Sequence, residues 1–366
     1  MKPSDYQAAG LYDPGAPNAA ERLELLEWLS ARGVTIEQMK RSRLPGGTLT
    51  GLAGDLTINP GAHLKLAELA DRAGLTVEQV EAIRRSAGLA PVDLEDPRFA
   101  DRDVQSFAAF AVGTQLFGEQ ATRHFGRVMG FSLARIADAV VSMFLVNVEG
   151  PLLKAHGTEL ELAQANLRAT EAAEVVPAVL QSVFRAHLEE AIRRSRLARE
   201  GRSIDTVRMA VGFVDLVGFT TLSRRMEPRE LADMVERFES TAHEVATAKD
   251  GRIVKLIGDE VMFVAVDAAA ACDIALTLVE RFAGDPTVTP RGGLAHGELL
   301  NRGGDYYGPV VNLAARLAEL AVPNELLVTP EVAARARADH LRFEPAGKRL
   351  PKGFDEPVTL LALERP

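Results

Sequence analysis

The sequence predicts an all-α N-terminal domain followed by an α+β C-terminal domain. Two observations carry that prediction. From "AAERLELLEWLSARGV" to about residue 200, apolar residues recur at three- and four-residue intervals, and no strand-like alternation of useful length interrupts them. After "GRSID" the pattern changes to short apolar strands separated by helices and Gly-containing turns. A chain of 366 residues, 47% hydrophobic, is long enough for two packed cores. The expected division is residues 1–203 and 204–366.

The first twenty residues are rich in Pro, Gly and Ala without periodicity, so a flexible lead or an arm that orders on docking is expected. No apolar core of a secretory signal is visible there. "HLKLAELADRAGLTVEQVEAIRRSAGL" gives a helix, a turn at Gly74 and a second helix from near Thr76, the pattern of a helix-turn-helix. DNA binding is therefore an alternative. Against it, residues 1–100 hold eleven Lys and Arg to fourteen Asp and Glu, and the second helix carries Glu78 and Glu81. The whole chain has a formal charge of -9 and a pI near 5.4, which disfavours polyanionic partners, so no nucleic-acid partner is expected. "FSLARIADAVVSMFLVNVEGPLL" is interrupted by Arg135, Asp138, Asn147 and Glu149, so it is expected as a buried helix and not a membrane span. The segment at about 175–200 carries a long amphipathic stripe and ends in charge, as a connecting helix would. The single Cys272 has no disulfide partner within the chain and suits a reducing cytoplasm.

In the second half, "TVRMAVGFVDL" is a strand, helices follow to about Lys249, and "GRIVKLIGDEVMFVAV" is two strands joined by a Gly-Asp turn. A helix over "DAAAACDIALTLVERFAG", a strand through "RGGLAHGELL", a helix over "PVVNLAARLAEL", a strand "ELLVT" and a hairpin over "LPKGFDEPVTLLAL" complete it. This order suggests a sheet with helices on one face.

Asp215 ends the first strand. It would serve either as the cap of the next helix or as a ligand to a divalent cation. Gly218 would let the backbone of Phe219 and Thr220 approach a polyphosphate at the helix start. Asp259, in the Gly-Asp turn, would repel Asp215 unless a cation lay between them, which argues for Mg2+ or Mn2+. Asn312 and Arg316 are four apart on one helix and project the same way, and Asp305 precedes them in a loop.

"FVDLVGFTTLS", "VKLIGDEVMFV", "RGGLAHGEL" and "GGDYYGPVVNLAARL", in this order, resemble the catalytic domain of class III nucleotidyl cyclases over roughly residues 206–366. The resemblance implies a ferredoxin-like palm and a homodimer with active sites at its interface. It implies two metal ions held by Asp215 and Asp259, with the backbone near Leu216 helping. Lys255 and Asp305 match the pair that reads the purine, while Asn312 and Arg316 match the pair that orients the ribose and stabilises the transition state. A lysine donor and a carboxylate acceptor complement adenine, whereas guanine reverses the pattern, so ATP is the expected substrate. A phosphate-binding residue is expected among Lys348, Arg349 and Lys352. The GGDEF family, suggested by "GDE", fits less well because Ile257 stands where a second glycine would. A cyclase-like module of weak activity is the other alternative.

The first half is similar to the N-terminal regulatory domain of mycobacterial acid-responsive cyclases, on the opening helix "AERLELLEWLSARGVTIEQM" and the domain order. That implies a helical, dimerising, autoinhibitory module. His124, His156 and His187 are candidate pH sensors. An apolar small-molecule ligand in the helical core is a second candidate signal, suggested by "AVVSMFLV".

Overall fold

The computed structural model describes residues 1–42, 48–58, 60–198, 206–285 and 287–366, and for Thr220 the backbone alone. The chain forms two units, Met1–Phe184 and Arg185–Pro366. The expected boundary near residue 203 lies outside the described residues.

The first unit is helical. It opens with α1 (Pro3–Ala8), α2 (Ala19–Ala31), α3 (Ile36–Arg41) and α4 (Leu52–Ile58). Of the two expectations for the first twenty residues, a flexible lead or a docked arm, the structure has the docked arm. Tyr6 is fully buried with Leu25, Leu26 and Leu29, and its hydroxyl donates to the Leu26 carbonyl at 3.1 Å. One aromatic anchor on a single proline-started turn is enough to dock the segment, and no periodicity announces it.

Next come α5 (Leu66–Ala73) and α6 (Val77–Ser86). Gly74 ends α5 with φ +68°, and the Thr76 hydroxyl caps α6 by accepting from the Gln79 N–H. α7 (Asp101–Phe117) leads to α8 (Glu119–Phe144), which passes through a π-helical turn at Leu145–Glu149 into α9 (Gly150–Lys154). α10 (Glu159–Ala173) returns to the first core, where Ala163 packs and Arg22 pairs with Glu159 at 2.6 Å. α11 (Val176–Ala198) carries the chain into the second unit.

α8 corrects an expectation. Its buried residues are Gly126 and Gly130, which face the end of α6 where a Cβ on Gly130 would collide with the Ala87 backbone. Phe125, Phe131, Val141, Met143 and Val146 are exposed. Glu119–Lys154 is long and apolar enough to cross a membrane by length and composition, and none of its apolar window is buried within the chain. An apolar composition states that a surface avoids water. It does not state which molecule covers that surface.

In the second unit, β1 (Thr206–Val217) is followed by α12 (Phe219–Ser223) and α13 (Pro228–Ala248). The hairpin β2 (Arg252–Ile257) and β3 (Glu260–Ala265), α14 (Ala268–Phe282) and β4 (Thr289–Arg302) come next. β5 (Asp305–Tyr307), α15 (Pro309–Leu320), β6 (Leu326–Val328), α16 (Pro330–Arg335), β7 (Arg342–Arg349) and β8 (Val358–Glu364) complete the chain. The sheet order is β2-β3-β1-β4-β6-β8-β7, with β5 paired to β4. All of these ladders are antiparallel except β4 with β6. Asp305 therefore stands in a short strand, not a loop. The last hairpin starts earlier than expected, with "LPKGFDEP" as its connection.

Helices cover both faces of the sheet, not one. Val214, Leu216 and Phe263 face a core shared with α13, α14 and α16, where Cys272 is fully buried. Val211, Phe213, Met262, Val264 and Ala295 face the other way, against Val311, Ala314 and Ala318 of α15. The near-continuous apolar run of β1 follows from burial on both sides. Gly293 allows α15 this close, because a Cβ there would collide with the backbone of Ala314 and Ala318. Ala198 at the end of α11 packs on the same face.

Candidate active site

Strand alternation decides which side chains share the α15 face. Asp215 pairs in register with Glu260 of β3 on one side and Arg291 of β4 on the other, which puts these three side chains in a row on that face. Arg291 donates from Nε and Nη2 to Asp215 Oδ2 at 3.1 and 3.0 Å. Its Nη1 donates to the carbonyls of Glu319 and Ala321 at the end of α15, at 2.8 and 3.3 Å. Asp215 does not cap the next helix. That position is taken by Gly218 at φ +85°, which turns the chain from strand into α12. Phe219 packs on the core beneath, so its backbone and not its ring is available at the helix start. The side chain of Thr220 lies outside the described ones.

The Leu216 N–H donates to the Asp259 carbonyl at 3.2 Å, which ties the end of β1 to the β2–β3 turn beside Asp215. The Leu216 side chain is in the core, so only its backbone can serve the site. Gly258, at φ +67°, makes that turn. Burial raises the Asp259 carboxyl above the usual range; a backbone hydrogen bond opposes this, the charge of Asp215 adds to it and Arg291 reduces it. Burial pushes Glu260 up to about 7, with Asp215, Glu319 and Asp259 adding and Arg291 opposing. The cluster holds more negative charge than its one guanidinium offsets, so the residues fit a divalent cation. Among the described residues no group of three or more His, Cys, Asp or Glu is placed to hold an ion. A cation here would draw its remaining ligands from the Leu216 region of the backbone, from phosphate and from water.

This arrangement has a testable electrostatic consequence. A carboxyl whose folded value is raised stabilises the fold fully below its unfolded value near 4.5, and that contribution is lost as pH rises through about 7. In chelator, Glu260→Gln should therefore melt a few degrees above the parent at pH 8 and show no such gain at pH 5, with Mg2+ narrowing the difference. Thermal melts at the two pH values check this; a gain independent of pH would contradict it.

Lys255 and Asp305 meet elsewhere. Lys255 Nζ donates to Asp305 Oδ2 at 2.8 Å, and Asp305 Oδ1 accepts from the Tyr306 N–H at 2.8 Å. Asn312 is exposed on α15, and Arg316, one turn on, pairs with Glu319 at 2.5 Å. No hydrogen bond or ion pair among the described residues joins Lys255 or Asp305 to Asp215 or Asp259. One chain thus brings together an acidic cluster around Asp215 and Asp259 and, separately, the Lys255–Asp305 pair. In the last hairpin Arg349 is held by Glu325 and the Leu320 carbonyl, while Lys348 and Lys352 are exposed.

Arg291 and Glu260 were not among the residues expected at the site. The available signal was a charged residue at the end of an apolar strand, "PRGGLAHG" and "DEVMFVAV", but the partnership with Asp215 depends on ladder register across 76 residues of chain for Arg291.

A mixed sheet with a carboxylate pair at a strand end and turn, a Lys–Asp pair and an Asn–Arg helix defines a nucleotidyl cyclase catalytic domain of class III. Residues 202–361 match the family described as adenylate and guanylate cyclase catalytic domain, and residues 4–192 match the adenylate cyclase regulatory domain. The chain belongs to the adenylate cyclases that join these two domains. It is 35% identical over 360 residues to the uncharacterised protein Rv2212 of Mycobacterium tuberculosis, covering 95% of this chain and 92% of that one. An adenylate cyclase of Streptomyces coelicolor is 35% identical over 86% of this chain and 75% of its own length. The pH-sensitive adenylate cyclase MT1302 of Mycobacterium tuberculosis is 30% identical over 97% of this chain and 91% of its own. Among solved structures, the adenylyl cyclase CyaB of P. aeruginosa is 26% identical with a TM-score of 0.40, covering 44% of this chain and 96% of that one.

Proposed function

We propose that the protein converts ATP to 3',5'-cyclic AMP and pyrophosphate in two equivalent sites between two copies of the chain, in the cytoplasm. The observation that carries this reading is the separation, on one chain, of the Asp215–Asp259 cradle from the Lys255–Asp305 pair. Each copy would supply one set to each site. Lys255 donates to the adenine ring nitrogen and Asp305 accepts from its exocyclic amine. Asn312 orients the ribose, and Arg316 leaves Glu319 to meet charge on the α-phosphoryl oxygens. Arg291 orients the Asp215 carboxylate and places a second positive charge beside the phosphates. The backbone of Phe219 and Thr220 faces the polyphosphate. The 3'-oxygen bonds to the α-phosphorus as the bond to pyrophosphate breaks and the hydroxyl proton is lost. Two Mg2+ or Mn2+ ions at Asp215 and Asp259 would acidify that hydroxyl and clamp the phosphates.

Residues 1–203 would act as the regulatory module. The exposed apolar residues of α7 and α8, and the stripe Val179, Val183, Leu188 and Ile192 along α11, suit coverage by a second copy. pH is one candidate signal, with His124, whose Nε2 is buried without a hydrogen-bond partner, among the residues that would sense it. An apolar ligand on the same helices is the other candidate. Nucleic acid has no part in this reading.

The purified full chain, given ATP or GTP with Mg2+ or Mn2+ from pH 5 to 8, tests the proposal. Cyclic AMP and pyrophosphate in equal amounts, with a pH-dependent rate, are expected. Absence of cyclic nucleotide under all conditions would contradict it.

A further inference from the structure

We propose that Arg252 is a positioning residue for purine selection, holding the β4–β5 turn at base-reading distance from β2. The proposal rests on the reading of Lys255 and Asp305 as the purine pair. Among the described residues β2 pairs only with β3, and β5 only with β4, so no backbone ladder there joins the strands that carry the two purine-reading side chains. Two side-chain bridges do so instead. One is Lys255–Asp305 at 2.8 Å; the other runs from Arg252 Nη2 to the Gly304 carbonyl at 3.0 Å.

The two bridges differ in what substrate does to them. A base read by Lys255 and Asp305 must take over the hydrogen bonds these side chains now make to each other, so the first bridge opens when substrate enters. The second engages no group that the base needs. After the base enters, it is the link that still fixes the spacing between the two strands. The turn it grips is a pliable one: Gly303 and Gly304 are consecutive glycines at φ +64° and +82°, with Asp305 immediately after. Arg252 also sits three residues before Lys255 on the same strand, and the bulge between Ile253 and Lys255 interrupts the alternation that would otherwise send the two side chains to opposite faces. One strand thus carries both the donor that reads the base and the clamp on the hairpin that carries the acceptor.

A mispositioned carboxylate reads the exocyclic amine less well and rejects the guanine carbonyl less strongly. Both effects belong to base binding, in the ground state and the transition state alike, so they appear in KM and in substrate preference more than in kcat. Steady-state kinetics of the full chain with ATP and GTP, for the parent, Arg252→Met and Arg252→Lys, test this. Arg252→Met keeps the stem and removes the donors. It should raise KM for ATP about threefold to tenfold, leave kcat within about twofold, and narrow the ATP:GTP ratio of kcat/KM about tenfold. Arg252→Lys, which restores one donor, should recover part of the ratio, and the Mn2+ concentration dependence should be that of the parent in both variants. A parental KM and ratio in Arg252→Met would overturn the proposal, as would a loss confined to kcat. A parent that uses GTP as readily as ATP would instead refute the assignment of Lys255 and Asp305, and the role of Arg252 with it.

Discussion

Asp215→Ala should lower cyclic AMP formation by roughly a thousandfold or more while leaving the fold intact. Asp215 stands where β1 meets both its neighbours, so its carboxylate accepts from Arg291 on one side and repels the charges of Glu260 and Asp259 on the other. In the proposed site, removing it would take away a cation ligand, and it leaves the Arg291 guanidinium without the carboxylate that accepts from its Nε and Nη2. Losses of about 10²–10³ are usual for one electrostatic group acting on a developing charge, and a group that also holds a cation should exceed that. Stability should change little, because Arg291 keeps its bonds to the Glu319 and Ala321 carbonyls and the β1–β4 ladder runs on regardless. Initial rates with saturating Mn2+, alongside a thermal melt, separate the two effects. Parental activity in the variant would remove Asp215 from the site.

Exchanging the purine pair should reverse substrate choice. Guanine presents a carbonyl acceptor and a ring N–H donor where adenine presents an amine donor and a ring acceptor. Lys255→Glu combined with Asp305→Ser supplies an acceptor and a hydroxyl donor in place of a donor and an acceptor. Both positions are partly buried, with side-chain exposures of 38% and 27%, so mismatched groups cannot simply turn to bulk water. Sites that hydrogen-bond a polar edge discriminate by about 10⁴-fold when the edge is wrong. Discounted for this exposure, the ATP:GTP ratio of kcat/KM should fall by about two orders of magnitude or more, mainly through loss of ATP use. Lys255→Glu alone should lose activity with both nucleotides, since one group then faces its like in either base, whereas Asp305→Ser alone should keep more of its ATP use, because a serine hydroxyl can also accept from the adenine amine. An unchanged ratio in the double variant would show that the base is read elsewhere.

Much of the catalytic unit was legible because its polar residues interrupt strongly apolar elements. Asp215 ends a run of buried strand residues, and Lys255 and Asp259 lie in a hairpin whose second strand is another such run. What depended on register was not legible: the row Glu260–Asp215–Arg291 exists because three strands meet at one level, and no local pattern records that. The covering of both sheet faces had a signal, since β1 is apolar at successive positions and not at alternate ones, but the order of elements alone suggested helices on one side. In the helical unit the apolar period located the helices correctly and failed on what covers them. Tyr6 docks a segment whose composition leaves a flexible lead and a docked arm equally open, while α8, apolar enough for a core, turns Phe125, Phe131 and Met143 outward. Periodicity reports which residues avoid water, and the covering partner can be the same chain or another.

In the proposed assembly each active site draws on two copies, one giving Asp215 and Asp259 and the other Lys255, Asp305, Asn312 and Arg316. Mixing Asp215→Ala with Asn312→Ala, each expected to be inactive alone, tests that assembly. After exchange of subunits at equal concentrations, half of the dimers are mixed and each mixed dimer has one intact site, so activity should return to about a quarter of the parental value. Failure to regain activity, in a mixture shown to exchange subunits, would contradict the account and place the whole site within one chain.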